Sequence, residues 1–479
     1  MKDIIFLLFI LFSTASAVFW HVAKNYENQP LLHAKATLSN ETYLNYYNRL
    51  PESAKANTRP SIWAIQQQPA GMFLQFQTNS SSISVNYTLG SDSLSQWHFP
   101  STGVSGMDLY AFDETNKTWR WTGTSHPKFP TTTSVLASRR CSAPNCATMT
   151  YRVHLCTYNH IADDFAVGVS SSFDTFVPDS SHFQPPEKKS IVWYGSSILQ
   201  GAVASRPGQI MTHQVSRNLE TLIYNFGFSG NCFMETSVAQ YLVNIKPIPS
   251  LWIIDCNPNM NYTLINDRAI PLIHFIRSNG HPTTPIIMTE GTKHGGDWYS
   301  ETARVGRYNK TIMLRNAFNE LVKQGDDHLY YSTSTDIYSS DLGMKPNVAG
   351  DYRFLVDPTV GGTHPTDLGM RKQATYWTKK IPAVLAEDLK RTKRPERIQR
   401  IRKNEDKEIA HLGSIRATFK DQLLGDVYNM QPSHDDEGIN EQLSGYKWID
   451  GSDILHGFSN FKDGNNILKR NSPSWHFVS

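Results

Sequence analysis

The chain of 479 residues has few of the features that would place it in a membrane, on nucleic acid or around a metal. A membrane-spanning helix needs about 20 apolar residues. The longest uninterrupted apolar run, at 4–12, is well short of that, so no membrane span is expected. The formal net charge is only +3, which gives electrostatics no reason to favour a nucleic-acid partner. Five cysteines are too few for a disulfide-built fold. No Cys-x-x-Cys pair and no Cys/His spacing of the zinc type occurs, so no metal and no organic cofactor is implied. Cys141 and Cys146 are near neighbours and can close a small loop in an oxidising compartment. Cys156 can pair with either of them instead. Cys232 and Cys256 read as buried thiols, and the odd count leaves at least one cysteine unpaired.

What is present begins with a leader. Met1-Lys2-Asp3, the apolar run and Ser13-Thr14-Ala15-Ser16-Ala17 form a basic start, an apolar middle and an Ala-x-Ala end. That is the pattern of a secretory signal peptide, residues 1–17. Asn-x-Ser/Thr sequons follow at Asn40, Asn79, Asn86, Asn116, Asn261 and Asn309. Behind a leader they predict a secreted N-glycoprotein with those positions at the surface.

The length accommodates two or three domains of roughly 100–200 residues each. From 18 to 185 the chain is rich in Thr, Ser, aromatics and β-branched residues. Met72-Phe73-Leu74-Gln75-Phe76-Gln77-Thr78 and Ile83-Ser84-Val85-Asn86-Tyr87-Thr88 alternate with period two between turn clusters, which predicts a β-sandwich. The segment 183–189, with two prolines and two lysines, reads as a linker. From 189 to 389 apolar strands at 191–194, 222–226, 251–255, 286–289 and 329–332 alternate with helical patterns. This βαβ rhythm predicts a parallel sheet covered by helices on both faces, an α/β/α arrangement of three layers. The last segment, 390–479, opens on a dense run of Arg and Lys and continues polar, the pattern of a solvated face or a disordered tail.

The chemistry-bearing pieces all fall where a strand or loop of the second domain ends. Ser190-Ile191-Val192-Trp193-Tyr194 runs into Gly195-Ser196-Ser197-Ile198, a buried strand ending in a sharp turn that presents a hydroxyl. Downstream stand Asn225-Phe226-Gly227-Phe228-Ser229-Gly230-Asn231, then Asp255-Cys256-Asn257-Pro258-Asn259-Met260, then Gly361-Gly362-Thr363-His364-Pro365-Thr366-Asp367. Open α/β sheets carry their chemistry at the carboxyl ends of the strands. Acyl transfer needs a serine, an imidazole to take its proton, and preorganised donors for the developing oxyanion.

These blocks resemble those of the SGNH, or GDSL-type, hydrolases over roughly 189–389. Gly195-Ser196-Ser197-Ile198 looks like the nucleophile block, with Ser197 as nucleophile. Gly227-Phe228-Ser229-Gly230-Asn231 looks like the glycine block, with Gly230 as oxyanion donor. Asn259 stands for the oxyanion amide, with Asn257 as the alternate, and His364 stands for the base. Further upstream, Ser105-Gly106-Met107-Asp108-Leu109-Tyr110 looks like the Gly-x-Asp-Leu-Tyr signature of a β-rich domain that precedes some of these esterases. Ala204-Ser205-Arg206-Pro207-Gly208 is similar to the same group. The resemblance implies hydrolysis of O-acyl esters, on a small molecule or a glycan, often acetyl groups on sugars.

One position departs from the family pattern. The aspartate usual three residues before the histidine is replaced by Gly361. That carboxylate normally orients the imidazole, and losing it costs ~10⁴ in turnover in well-studied triads. Three readings stand open: a Ser–His dyad held by a backbone carbonyl, rescue by Asp357, or an inactive relative that binds carbohydrate or lipid. Asp367 reads as a helix cap, Asp108 and Tyr110 as structural, and His281 and His294 as surface residues.

Overall fold

The computed structural model describes residues 18–26, 31–36, 38–141, 146–182, 190–292, 294, 299–334, 337 and 358–392. The leader, the 183–189 linker, Asp357 and the chain beyond 392 lie outside the described residues. The chain divides into two compact units, one of residues 1–295 with 328–385 and one of 296–327 with 386–479.

The alternating N-terminal stretches form two antiparallel sheets. The first contains β1 (Phe19–Val22), β4 (Ser82–Leu89), β7 (Thr131–Ser138) and β9 (Ile161–Val169), in the order β1-β9-β4-β7. The second contains β2 (Leu32–His33), β3 (Phe73–Thr78), β5 (Asp108–Asp113), β6 (Thr118–Thr124), β8 (Met149–His154) and β10 (Val177–Pro178). Its order is β10-β3-β8-β5-β6, with β2 also on β3. Period two puts Val85 and Tyr87, with Phe165 and Val167, on one inner face, and Leu74, Phe76, Leu109, Tyr151 and Val153 join them in one buried core. Burying each such side chain contributes roughly 1.5–3 kcal/mol. Short helices α1 (Ala54–Asn57), α2 (Pro60–Gln66) and α3 (Ser101–Val104) sit in the connections.

The second domain is a five-stranded parallel sheet of β11 (Ile191–Gly195), β12 (Ile223–Gly227), β13 (Leu251–Asp255), β14 (Ile286–Thr289) and β15 (Leu329–Ser332). Its order is β12-β11-β13-β14-β15. Its strands are buried on both faces, as continuous apolar runs require. The helices are α4 (Ser197–Gln200), α5 (Met211–Leu219), α6 (Thr236–Leu242), α7 (Tyr262–Ser278) and, crossing into the second unit, α9 (Asp367–Thr392). Ile191, Trp193, Ile253 and Ile287 pack with Met211 and Val215 of α5 and with Met370, Ala374 and Trp377 of α9. The opposite face carries Tyr194, whose hydroxyl accepts from the Glu235 N–H at the start of α6, and Trp252, whose indole donates to His281 just past α7. His281 is thus fully buried, not a surface residue, because the Trp252 indole and the Val243 carbonyl both take up its ring nitrogens. The second unit contains α8 (Glu301–Lys323) with Leu314, Ala317 and Leu321 buried.

Much of the outer face of the second N-terminal sheet is covered. Phe73 of β3 and His154 of β8 lie against His213 of α5, with ring centroids 6.0 and 3.9 Å apart. Asp108, fully buried, accepts from the Trp121 indole at 2.6 Å, from Arg206 at 3.0 Å and from the Gly208 N–H at 3.0 Å. Burial pushes its carboxyl up to about 6, against the pull of the Arg206 guanidinium. Arg206 also donates to the Tyr110 hydroxyl at 2.9 Å. The Gly-x-Asp-Leu-Tyr stretch and the Ser205-Arg206-Pro207-Gly208 stretch are therefore two halves of one joint between the domains. A side chain on Gly208 would place Cβ 2.4 Å from the Asp108 carboxylate, so the joint closes only around glycine.

Cys141 and Cys146 are disulfide-bonded, and Cys156 is free and buried, donating to the Asn159 carbonyl at 3.2 Å. Cys232 and Cys256 also form a disulfide, which corrects the reading of two separate thiols. Their loops follow β12 and β13, which flank β11, and this brings residues 24 apart in sequence to a Cα separation of 4.9 Å.

Alkylation in denaturant without reductant should label one cysteine, in the Cys156 peptide, and five after reduction; three labels before reduction would refute the second bridge. Asp108→Ala removes the acceptor shared by the Trp121 indole, Arg206 and the Gly208 N–H and should cost about 1–3 kcal/mol, read as a lower urea midpoint.

Candidate active site

The strand order of the parallel sheet decides where a site can lie. From β11 the chain passes to β12 on one side, and the next strand, β13, lies on the other side of β11. Such a reversal opens a crevice at the carboxyl end of the first strand. Ser196 and Ser197 sit there. The Ser196 side chain caps α4 by accepting from the Ile198 N–H. Ser197, first residue of that helix, turns its hydroxyl elsewhere: its Oγ lies 2.9 Å from Nε2 of His364. The helix packs tightly on β12, since a Cβ on Gly227 would fall 2.3 Å from the Gln200 backbone nitrogen.

His364 comes from a two-stranded hairpin, β16 (Thr359–Val360) with β17 (His364–Pro365), in which Val360 pairs with His364. The three-residue turn between them holds Gly361 at φ 63° and Gly362 at φ 77°. This left-handed geometry is one that glycine adopts without cost. Asp367 faces away from the imidazole: its oxygens accept from the N–H and the hydroxyl of Ser205, at 2.8 and 2.5 Å. Asp357 lies outside the described residues. Among the described residues, no hydrogen bond reaches Nδ1 of His364; the nearest ring is that of His98, with centroids 5.5 Å apart. Burial, and secondarily His98, hold the His364 imidazole below its ordinary value of 6.5.

The loop after β12 is bound to the same rim. Phe228 N–H donates to the Gly195 carbonyl at 2.8 Å and Ser229 N–H to the Gln200 side chain at 2.9 Å. Gly230 has φ 68° with no atom within 4 Å of where a side chain would stand. The two asparagines after β13 differ. Asn257 is buried, and its amide nitrogen donates to the Glu290 carbonyl. Asn259 accepts from the Cys232 N–H at 3.2 Å through Oδ1, and its NH₂ group makes no hydrogen bond among the described residues. The Cys232–Cys256 bridge ties the two loops together beside this bond. Asp255, at the end of β13 opposite Gly195, is pushed up to about 8 by burial, which favours its neutral form.

Other residues that hold the rim carry no motif. Arg59 donates to both the side chain and the carbonyl of Asn231, at 2.8 and 2.9 Å, and pairs with Glu235. Arg49, buried, donates to the Asn225 and Gly227 carbonyls at 3.2 and 2.7 Å. The Tyr158 hydroxyl donates to the Ser197 carbonyl at 3.3 Å, and the Gln200 amide nitrogen donates to Gln68 and to the Thr157 carbonyl. Except for Gln200, the residues making these contacts come from the N-terminal domain and its connections. Among the described residues no cluster of three or more His, Cys, Asp or Glu side chains is placed to hold a metal ion, and no helix is long and apolar enough to cross a membrane.

Comparison with known proteins agrees with this geometry. Residues 188–382 match the GDSL-like lipase/acylhydrolase family, and residues 18–174 match the GxDLY domain, the N-terminus of the SGNH hydrolase-type esterases. A structure described as a GDSL-like lipase from Bacteroides ovatus is 27% identical, with a TM-score of 0.66, over 77% of this chain and 98% of that one. The salicylyl-acyltransferase SsfX3 of a tetracycline biosynthetic pathway shares the fold at 15% identity and a TM-score of 0.56, over 77% and 98%. No match is found among curated proteins. The parallel sheet with Ser197 and His364 at its rim, preceded by its antiparallel β domain, thus belongs to a member of the GDSL-like lipase/acylhydrolase family that carries an N-terminal GxDLY domain.

Proposed function

We propose that the protein is a secreted serine esterase that hydrolyses O-acyl esters, with short acyl groups such as acetyl on carbohydrate as its substrate class. The observation that carries this reading is the 2.9 Å approach of Ser197 Oγ to His364 Nε2 at the carboxyl rim of the sheet. Ser197 Oγ attacks the ester carbonyl carbon while its proton passes to His364 Nε2. The oxyanion takes hydrogen bonds from the backbone N–H groups of Ser197 and Gly230 and from the Asn259 NH₂ group. Collapse of the intermediate expels the alcohol, which receives the proton from His364. Water, deprotonated by the same imidazole, then cleaves the acyl-serine and releases the carboxylic acid. The base is competent only when neutral, and burial favours that form.

Secretion is supported by the leader pattern and by two disulfides, which persist in oxidising compartments. Glycosylation is supported by exposure: Asn40, Asn116 and Asn261 are exposed, and Asn79, Asn86 and Asn309 are half-buried. Asn261 caps α7 through its oxygen, accepting from the Leu264 N–H, so its nitrogen stays available for a glycan.

With p-nitrophenyl acetate, Ser197→Ala should lose about 10⁴-fold or more in kcat; equal rates in wild type and variant would favour the rival reading of a binding protein without turnover. Asn259→Ala should lose about 10²–10³ in kcat while Asn257→Ala lowers stability instead. The kcat/KM profile should rise with pH through a midpoint below 6.5, because His364 must shed its proton to act and its value is lowered. A midpoint above 6.5 would contradict that assignment.

A further inference from the structure

A half-buried imidazole that none of the steps above uses lies beside the base. His98 comes from the N-terminal domain, in Trp97-His98-Phe99-Pro100 just ahead of α3. Its ring lies 5.5 Å from that of His364, tilted by 57°. Trp97, itself exposed, stacks on the His98 ring with centroids 4.2 Å apart. The Nδ1 atom of His98 is buried and has no hydrogen-bond partner among the described residues. An unsatisfied buried polar atom costs about 1–3 kcal/mol, so a folded protein that keeps one calls for a reason.

We propose that His98 is a positioning residue for His364, supplying from the N-terminal domain a neutral acceptor where the family pattern has a carboxylate and this chain has Gly361. The proposal rests on the esterase reading. With its proton on Nε2, His98 offers the Nδ1 lone pair. When His364 takes the Ser197 proton, its Nδ1–H acquires full imidazolium character, and a modest ring rotation brings it to that lone pair. No bond is made or broken in this contact; the hydrogen bond stabilises the transient cation and holds the tautomer that keeps Nε2 facing Ser197. A neutral acceptor is weaker than a carboxylate, so its loss should cost less than the ~10⁴ of a missing triad aspartate.

The groups around His364 on the described elements are the Ser197 hydroxyl of α4, the His98 ring and, on its own carboxyl side, Asp367, already held by Ser205.

The test compares His98→Phe, which keeps a ring under Trp97 but has no lone pair, with His98→Gln, which keeps an acceptor oxygen. For p-nitrophenyl acetate, kcat should fall about 10–100-fold in His98→Phe with KM little changed, and stay within about threefold of wild type in His98→Gln. A His98→Phe enzyme with wild-type kcat, or a His98→Gln enzyme as slow as His98→Phe, overturns the proposal. So does an Asp357→Asn variant that loses turnover while His98→Phe keeps it. Ser197→Ala, measured alongside, separates the two levels: if it is as active as wild type, the esterase reading itself falls and takes this proposal with it.

Discussion

The contact between Ser197 and His364 is the interaction around which the molecule is arranged. It joins residues 167 apart in sequence, and neither could be held within 2.9 Å of the other by its own loop. The strand order provides the crevice, and close packing of α4 on Gly227 aims the serine into it. The Thr359–Val360/His364–Pro365 hairpin delivers the imidazole. A shift of an ångström in any of these would take the hydroxyl out of hydrogen-bond reach, which is why so many bonds converge on the rim.

Much of that convergence comes from the β domain. Arg49 covers the end of β12 by donating to two of its carbonyls, and a cation cation–π contact with Phe228, 4.9 Å from the ring, helps offset its burial, which lowers the guanidinium to about 9. Arg59 grips the loop after β12 through Asn231 and Glu235. Tyr158 bonds the carbonyl of Ser197 itself. The joint at Asp108, Arg206 and Gly208 fixes the β domain against the hydrolase domain, so these contacts are built on a rigid seam. The accessory domain is in this sense part of the active-site scaffold.

How far this could be read from sequence depended on the range of the interactions. Strands at 251–255, 286–289 and 329–332 were legible because fully buried parallel strands are continuous apolar runs, and the glycine, asparagine and histidine blocks were legible because each is a short turn with its own chemistry. Asn257 and Asn259 could not be told apart, since the difference is which one the Glu290 carbonyl captures. The Cys232–Cys256 bridge was missed because its partners meet only once two crossovers have closed on either side of β11. His281 was misplaced because its burial depends on Trp252, a residue on another element. Arg49, Arg59, Tyr158 and His98 had no local signature at all; their roles arise where one domain lies on the other.

The central claim, that the Ser197 hydroxyl is activated by His364, is tested most directly by covalent trapping. A fluorophosphonate reacts with a serine only when a neighbouring base makes it nucleophilic. Incubation followed by peptide mass mapping should find a single adduct, on the peptide that carries Ser197, and none in His364→Ala. No adduct in the wild type, or an adduct on Ser197 that forms as fast without His364, would contradict it.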